Sequence, residues 1–197
     1  MPLVVDHEQR RAELVAVTWR VIAREGYEKA TMRQICAAAG FSNGALKPYF
    51  PTKESLLEAT FDYVFAQTLS RVNTELEGHR GFAAIEVFAK HVMPLDELGL
   101  DEARVVVPFW QKALHDSEEQ AHHRQKMAEW HELLKHWLIE ENLPVQEAGL
   151  FAQTLLTFLL GTQITSVMGQ EESSPPDLLR QLESHLDLIR SWRDRHN

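Results

Sequence analysis

Residues 26–53 constrain the fold more tightly than any other part of this 197-residue chain. Gly26 follows a segment with helical apolar periodicity and stands where a left-handed residue ends a helix. Thr31 and Gln34 have the spacing of a capping box, which predicts that the next helix starts at Thr31. Gly40 then permits a close turn. Two short helical signals joined by a glycine turn predict a helix-turn-helix, whose second helix can lie in the major groove of DNA.

The second short helix of this motif is expected to begin at Asn43, with Ser42 as its N-cap. Pro48 lies late in the same segment and has no N–H group to donate to the carbonyl of Gly44. It also disfavours helical geometry at Lys47, the residue before it. We therefore predict a recognition helix that is short or tightened at its end.

The order of these signals resembles the TetR family of transcriptional repressors. The shared pattern lies at Gly26-Tyr27, Thr31, Ile35-Cys36, residues 39–42, Asn43-Gly44, Leu46-Lys47, Tyr49-Phe50 and residues 53–57. Phe41, Lys47 and Pro48 depart from the residues that are usual in the family. The resemblance covers about the first quarter to third of the chain. It implies an all-α fold, with a DNA-binding domain at 1–52 and a helical ligand-binding and dimerisation domain at 53–197.

The motif also implies which residues meet DNA. The predicted DNA-binding residues are Thr31, Arg33, Ser42, Asn43, Gly44, Ala45, Lys47, Tyr49 and Lys53. Asn43 and Ala45 can reach base edges, because asparagine pairs with adenine and alanine contacts the thymine methyl group. Lys47, Tyr49 and Lys53 are expected to hold phosphates, which adds affinity but little sequence information. The expected partner is a palindromic double-stranded DNA operator bound by a homodimer.

Charge is distributed unevenly along the chain. Residues 1–53 hold eight Lys/Arg and five Asp/Glu, a net charge of +3, whereas residues 54–197 hold 12 and 24, a net charge of −12. A locally positive segment permits phosphate contact, and an acidic body repels DNA. The distribution therefore favours DNA binding by one face, at the N-terminal part of the molecule.

The rest of the chain has helical rather than strand periodicity. Four helices are expected at residues 52–76, 82–93, 117–141 and 145–168. A further helical segment is expected to be capped by Asp101 and bent at Pro108, and a last helix follows Pro176. With the N-terminal helices this makes about nine.

The single cysteine, Cys36, excludes an internal disulfide framework. No apolar run reaches the roughly 20 residues of a membrane span and no signal-peptide core is found, so a cytoplasmic protein without a membrane partner is expected.

The predicted helix at 145–168 is apolar around most of its circumference, so it must be buried on several sides. That burial can lie inside one subunit or across a two-fold axis. The resemblance favours the second alternative, because the last two helices form the dimer contact in TetR-like proteins. The predicted dimerisation residues are Phe151, Leu155, Leu159, Leu182 and Leu186.

Aromatic residues are concentrated in the second domain. The predicted ligand-binding residues are Phe109, Trp110, His123, Met127, Trp130, Trp137 and Phe158, with Gln111, His115 and Gln163 as further polar candidates. They form either a large aromatic core with His123 at its edge, or a pocket for an apolar or cationic small molecule. The pattern around Phe109-Trp110 and Gly161 loosely resembles BetI-like repressors, which respond to choline. The sequence alone does not identify the effector.

Two other classes of function were considered. An all-helical di-iron enzyme needs Glu-x-x-His on two helices, and the only match is Glu119–His122. Zinc-protease spacing, a phosphate-binding glycine loop and a nucleophile elbow are all absent from the sequence. A non-DNA-binding interaction protein could keep the same fold. We therefore expect neither an enzyme, nor a cofactor, nor a metal site, and favour a repressor released by a small-molecule effector.

Overall fold

The computed structural model describes residues 7–42, 44 and 46–196, without the side chain of Glu172. Within these ranges the secondary structure consists of eight α-helices and one short 3₁₀ turn at Glu171–Ser173. The helices are α1 (His7–Glu25), α2 (Met32–Ala38), α3 (Lys53–Glu75), α4 (Gly81–Val92), α5 (Glu97–Ala113), α6 (Ser117–Glu140), α7 (Val145–Val167) and α8 (Pro175–His196). The predicted all-α fold and its approximate helix count are confirmed.

Local signals place the ends of the N-terminal helices. Gly26 ends α1 with a φ of +90°, in the left-handed region that glycine adopts without strain. Thr31 caps α2, and its side chain and that of Gln34 form the predicted capping box. Thr52 starts α3 in the same way, with Ser55 as its partner. These caps were all predicted from spacing alone.

One cap was predicted wrongly. Helix α5 begins after Asp96, whose carboxylate accepts a hydrogen bond from the N–H of Gly99 at 2.7 Å. Asp101 lies inside the helix and pairs with Arg104 at 2.7 Å. Gly99 weakens the helical signal of the first turn, because glycine has a low helix propensity. For this reason the start of α5 was predicted too late in the sequence. Pro108 lies inside α5, as expected.

Helix α3 links three clusters of buried side chains. Its start contributes Leu56 to the cluster that holds α2 against α1, and its middle contributes Phe61 to a cluster shared by α1 and α5. Phe65, one turn further on, belongs to the largest cluster, which also includes residues of α4, α6, α7 and α8. The domain boundary at residue 52 stays a prediction, because α1 contacts both α3 and α5.

Most of the predicted dimerisation residues lie inside the chain's own core. Leu155, Leu159, Leu182 and Leu186 are all at most 3% exposed and belong to the largest cluster. These four side chains pack inside one subunit and are not on its exposed surface, and their role in dimerisation stays a prediction. Phe151 is half-buried, with its ring 5.6 Å from that of Trp192 on α8.

Helix α7 is long and apolar enough to cross a membrane, and it is the one such helix within the described residues. Length and composition are a weak indication, because core helices of soluble proteins meet the same test. Helix α7 packs against α5, α6 and α8, and a third (33%) of its most apolar window is buried. Its contacts are those of a core helix that also keeps an exposed apolar face.

Candidate functional site

The segment after α2 is a compact turn that two buried side chains hold in place. Leu46 and Phe50 are each 1% exposed and pack with Leu14 and Ile35, on α1 and α2. The N–H of Phe50 donates to the carbonyl of Leu46 at 2.8 Å, which closes a single helical turn between the two anchors. Leu46 and Phe50 are four residues apart and both face the core. The side of the turn between them therefore faces outwards, and Lys47 is exposed there.

This segment is shorter than the helix that was predicted. Gly44 has a φ of +97°, so the described backbone is not α-helical there, and residues 46–49 are turns. The carbonyl of Gly44 accepts from the N–H of Lys47 at 3.2 Å, because Pro48 has no N–H to donate. The tightened end is confirmed, whereas a helix continuing through Gly44 is wrong. Asn43 and Ala45 lie outside the described residues, and their contacts with bases stay a prediction.

Five of the predicted DNA-binding residues are exposed, in a stretch of sequence without acidic side chains. Residues 29–53 contain four Lys/Arg and no Asp/Glu. Arg33, Ser42, Gly44 and Lys47 are exposed, and so is Thr31 at the N-terminus of α2, where free N–H groups favour an anion. The surface therefore has the charge and the backbone donors that phosphate groups need.

Helix α1 supports this surface with side chains that the sequence analysis missed. The guanidinium of Arg11 lies 4.3 Å from the centre of the Phe50 ring and donates to the carbonyl of Tyr49. The ring of Tyr49 is also 4.9 Å from that of His7. Tyr49 is thus half-buried and packs on α1. An arginine eleven residues into the chain has no local signal that would reveal these contacts.

Lys53 connects the DNA-facing surface to the second domain. Its ammonium lies 5.5 Å from the centre of the Tyr27 ring. Burial raises the pKa of Tyr27, and this rise is opposed by the nearby positive charge of Lys112, on α5. Lys112 in turn pairs with the buried Glu119 of α6 at 2.7 Å. A ring contact, a charge interaction and an ion pair therefore link a candidate phosphate ligand to the helices of the second domain.

A small cavity lies among α3, α4, α5, α6 and α7. Four aromatic rings form much of its wall, from Phe61, Phe65, Trp110 and Trp130. The remaining lining residues are Val64, Thr68, Val92, Glu102, Val106, Met127 and Gln163. The space open to the centre of a water-sized sphere is about 20 Å³, which is room for about one water molecule. A larger ligand must therefore push the surrounding helices apart.

The cavity wall includes a buried carboxylate. Oε2 of Glu102 accepts from Arg71 at 2.7 Å and from the hydroxyl of Thr68 at 3.3 Å. Burial raises the pKa of Glu102, while the hydrogen bond and charge of Arg71 lower it in part. Glu102 was not predicted as a site residue, although one signal was available: it shares the apolar face of α5 with Val105, Val106 and Phe109, where an acidic residue is unusual.

Three of the seven predicted ligand-binding residues line this cavity: Trp110, Met127 and Trp130. Phe109 is buried behind it, stacked on Phe61 with ring centres 4.1 Å apart. Trp137 packs in the core with its ring 5.8 Å from that of Phe88, and Phe158 stacks on His185 at 4.2 Å. Phe109, Trp137 and Phe158 do not line this cavity, and their contact with a ligand stays a prediction. Of the further polar candidates, Gln163 lines the cavity, whereas Gln111 and His115 are exposed.

His123 lies at the edge of the aromatic group. Its ring is 5.8 Å from that of Trp110 and 6.4 Å from that of Phe61, but it lines an open groove between α6 and α7 and not the cavity itself. Burial lowers the pKa of His123, and the positive charge of the adjacent His122 lowers it further. A neutral imidazole at this edge fits the interpretation of an aromatic core bordered by His123.

Glu119 and His122, the one Glu-x-x-His pair in the sequence, contact different partners and do not form a common site. Glu119 pairs with Lys112, and Nε2 of His122 donates to the carboxylate of Asp62, on α3, at 2.8 Å. Across the described part of the chain, no group of three His, Cys, Asp or Glu side chains is placed to hold a metal ion.

Helix α7 also keeps an exposed apolar face. This face consists of three apolar side chains, two threonines and a half-buried glycine, at Leu150, Thr154, Thr157, Gly161, Ile164 and the C-cap Met168, which recur at alternating intervals of four and three residues. That spacing places all six side-chain positions on one side of a helix. Leu150 and Met168 are 66% and 70% exposed, and Leu188 of α8 is 68% exposed. A contiguous exposed apolar face of this kind is typical of protein–protein contact surfaces.

Two family models match the chain. The model for bacterial regulatory proteins of the tetR family matches residues 14–60, and the model for the C-terminal domain of BetI-type transcriptional repressors matches residues 83–191. The N-terminal match includes the helix-turn-helix, and the C-terminal match includes most of the cavity wall.

Curated relatives match parts of the chain. HTH-type transcriptional regulator PksA of Bacillus subtilis is 42% identical over 72 residues, which are 36% of this chain and 35% of that protein. HTH-type transcriptional regulator BetI of Burkholderia lata is 30% identical over 123 residues, 59% of this chain and 61% of that protein. The matches thus span between about a third and three fifths of these relatives' length.

Solved structures share the whole fold. A transcriptional regulator from Rhodococcus sp. superposes with a TM-score of 0.83 at 24% identity, over 91% of this chain and 95% of that one. A protein from Saccharomonospora viridis, described as a transcriptional regulator in complex with choline, has a TM-score of 0.82 at 19% identity, over 91% and 96% of the two chains. At identities of 24% and 19%, the similarity shows that these proteins share a fold with this chain, and no more than that.

Proposed function

This chain belongs to the TetR family of bacterial regulatory proteins, with a C-terminal domain of the BetI type, and from this premise we propose that it is a ligand-responsive transcriptional repressor. It binds a palindromic operator as a homodimer in the cytoplasm, and a cationic small molecule in the aromatic cavity releases it. The observation that carries the proposal is that α5 forms part of the cavity wall and also packs on α1 of the DNA-binding motif.

The DNA contacts follow from the exposed surface of the motif. The turn at 46–49 is docked by Leu46 and Phe50, so it can enter the major groove as a rigid unit. Lys47 and Lys53 hold phosphates on either side, and Asn43 reads bases. Lys53→Ala should weaken binding to all sequences alike and reduce the salt dependence by about one unit of slope. Asn43→Ala should instead relax the preference at particular base pairs.

The dimer forms through the exposed apolar face of α7 together with Leu188. Leu150, Ile164 and Met168 give this face exposed apolar side chains, and the small Gly161 at its centre lets two copies of the helix approach closely. Ile164→Asp should convert the dimer to a monomer in analytical ultracentrifugation, because it places a charge in the contact. Leu114→Asp, at a residue that is 71% exposed after α5, is the matched control and should remain dimeric.

The effector is a quaternary ammonium cation of about the size of choline. Aromatic faces attract such cations, and four rings surround the cavity with the carboxylate of Glu102 among them. Arg71 and Thr68 both contact Oε2 of Glu102, and this carboxylate lies in the wall beside the four rings. The choline complex of the Saccharomonospora viridis protein and the BetI-type family match support the same ligand class.

Release follows from the small size of the cavity. A ligand larger than water must displace the wall, which includes Trp110 on α5. Trp110 also packs against the cluster that contains Val21 and Ile22 of α1, so its displacement moves the DNA-binding motif. The two recognition turns of the dimer must stand about 34–36 Å apart to meet successive major grooves, and a change in that spacing weakens binding.

The proposal is tested by selecting DNA from a random library with the purified protein and measuring retardation of the selected sequence against competitor DNA. We expect enrichment of an inverted repeat that binds with nanomolar affinity at physiological salt. Recovery of no consensus above competitor binding would contradict the DNA-binding role. Isothermal titration with choline, using tetramethylammonium as a second probe, tests the effector class separately.

A further inference from the structure

Met127 of α6 lies between two spaces in the second domain. It lines the aromatic cavity, and it also lines the open groove between α6 and α7. Within the described part of the chain, no other residue belongs to both linings. A second open groove, between the start of α5 and the connection from α7 to α8, shares no lining residue with the cavity. The Met127 side chain therefore separates the cavity from one particular opening.

The groove is large enough for a small molecule, whereas the closed cavity is not. The space open to the centre of a water-sized sphere is about 560 Å³ in the groove and about 20 Å³ in the cavity. The apolar part of the groove lining consists of Leu156 and Leu160 on α7 with Met127 and Ala128 on α6. None of these residues belongs to the exposed apolar face of α7 that we propose as the dimer contact. The groove is thus a separate apolar opening beside the cavity.

Hydrogen bonds fix the helices around Met127 but not its side chain. His131, one turn further along α6, donates from Nε2 to the carbonyl of Gly149 at 3.1 Å and so ties α6 to α7. Gln163 donates to the carbonyl of Val92 at 2.9 Å, which ties α7 to α4. Met127 has no group that donates a strong hydrogen bond, and it is half-buried against the largest core cluster. Its unbranched side chain can therefore change rotamer while the helices stay tied.

We propose that Met127 is the gate of the effector site, so that the effector enters the cavity from the α6–α7 groove when this side chain rotates away. The inference rests on the proposed function, because it requires a small molecule in the cavity, but it does not depend on the chemical class of that molecule. Ala128 lies on the outer side of the gate, since it lines the groove and not the cavity. Trp130 lies on the inner side, with its indole Nε1 buried and without a hydrogen-bond partner among the described residues.

The first test measures the rates at which a ligand enters and leaves. Ala128→Phe fills part of the groove without altering the cavity, so it raises the barrier between the free and bound states and leaves both states unchanged. With choline as the probe, stopped-flow tryptophan fluorescence should show association and dissociation both slowed about tenfold, equivalent to ~1.4 kcal/mol on the barrier, at an unchanged Kd. Ala121→Phe, at an exposed position of α6 that lines neither space, is the control and should keep the wild-type rates.

The second test needs no effector. The indole N–H of Trp130 exchanges with deuterated water only when water reaches the cavity wall, and this exchange is followed by nuclear magnetic resonance. Met127→Ala should speed the exchange, because it removes most of the gate. Ala128→Phe should slow it, and Ala121→Phe should leave it at the wild-type rate.

The outcomes separate the gate from the effector. Unchanged choline rates in Ala128→Phe would overturn the gate. A lower affinity at an unchanged association rate would also overturn it, because the groove would then be a binding surface and not a route. If choline does not bind the wild-type protein, the effector proposed above is wrong, and the exchange of the Trp130 indole decides the gate alone. Equal exchange rates in Met127→Ala and the wild-type protein would then overturn it.

Discussion

Leu46→Ala tests how the recognition turn is held. The turn has no α-helical ladder of its own among the described residues, so its position depends on the burial of Leu46 and Phe50. Leu46 is 1% exposed, and truncation to alanine removes three buried carbons at about 0.8 kcal/mol each. The cavity left behind adds to this transfer loss, so the free energy of unfolding should fall by about 2–5 kcal/mol.

The assay is urea denaturation followed by far-ultraviolet circular dichroism, with operator affinity measured in parallel. Leu114→Ala is the control, because that side chain is 71% exposed and its removal should change stability by no more than about 0.5 kcal/mol. Operator affinity should fall for Leu46→Ala and stay unchanged for Leu114→Ala. A loss of stability below about 1 kcal/mol at Leu46 would refute the argument that core packing positions the turn.

Three further predictions concern single side chains. Thr31→Ala removes the N-cap of α2 and should lower the free energy of unfolding by about 1 kcal/mol in denaturant titrations. Burial and His122 lower the pKa of His123 beneath its ordinary value of about 6.5, so its contribution to stability is present above that pH and is lost as the pH falls. His123→Gln should flatten the fall in stability between pH 7 and 5, measured by thermal unfolding in matched buffers. In binding titrations, Lys53→Ala should weaken operator and non-operator DNA by similar factors, unlike Asn43→Ala; a selective loss at Lys53 would contradict its phosphate role.

Features that depend on neighbouring residues were predicted well. The capping box at Thr31, the N-cap at Thr52 and the left-handed Gly26 each depend on a few consecutive residues, and the structure confirms all three. The shortened recognition segment was anticipated at Pro48 for the same reason, because a missing N–H is a local property. Its start was wrong because the conformation of Gly44 depends on how Leu46 docks into a core built from other helices.

Features that depend on distant partners were predicted less well. The apolar circumference of α7 showed that it is buried on several sides, but periodicity does not tell which side meets its own core. Leu155 and Leu159 face inwards, and the face left for a partner runs through Gly161 and Ile164. Glu102 was missed because its role depends on Arg71, which lies 31 residues earlier in the chain.

The central claim is that a cation in the aromatic cavity weakens DNA binding through α5. The most direct measurement is the affinity of the dimer for its selected operator, by fluorescence anisotropy, with and without saturating choline at constant ionic strength. The account predicts a 5–150-fold loss of affinity, corresponding to a coupling of about 1–3 kcal/mol. Trp110→Ala, which removes the side chain shared by the cavity and the α1 cluster, should reduce that loss. Equal operator affinity with and without bound choline would contradict the account.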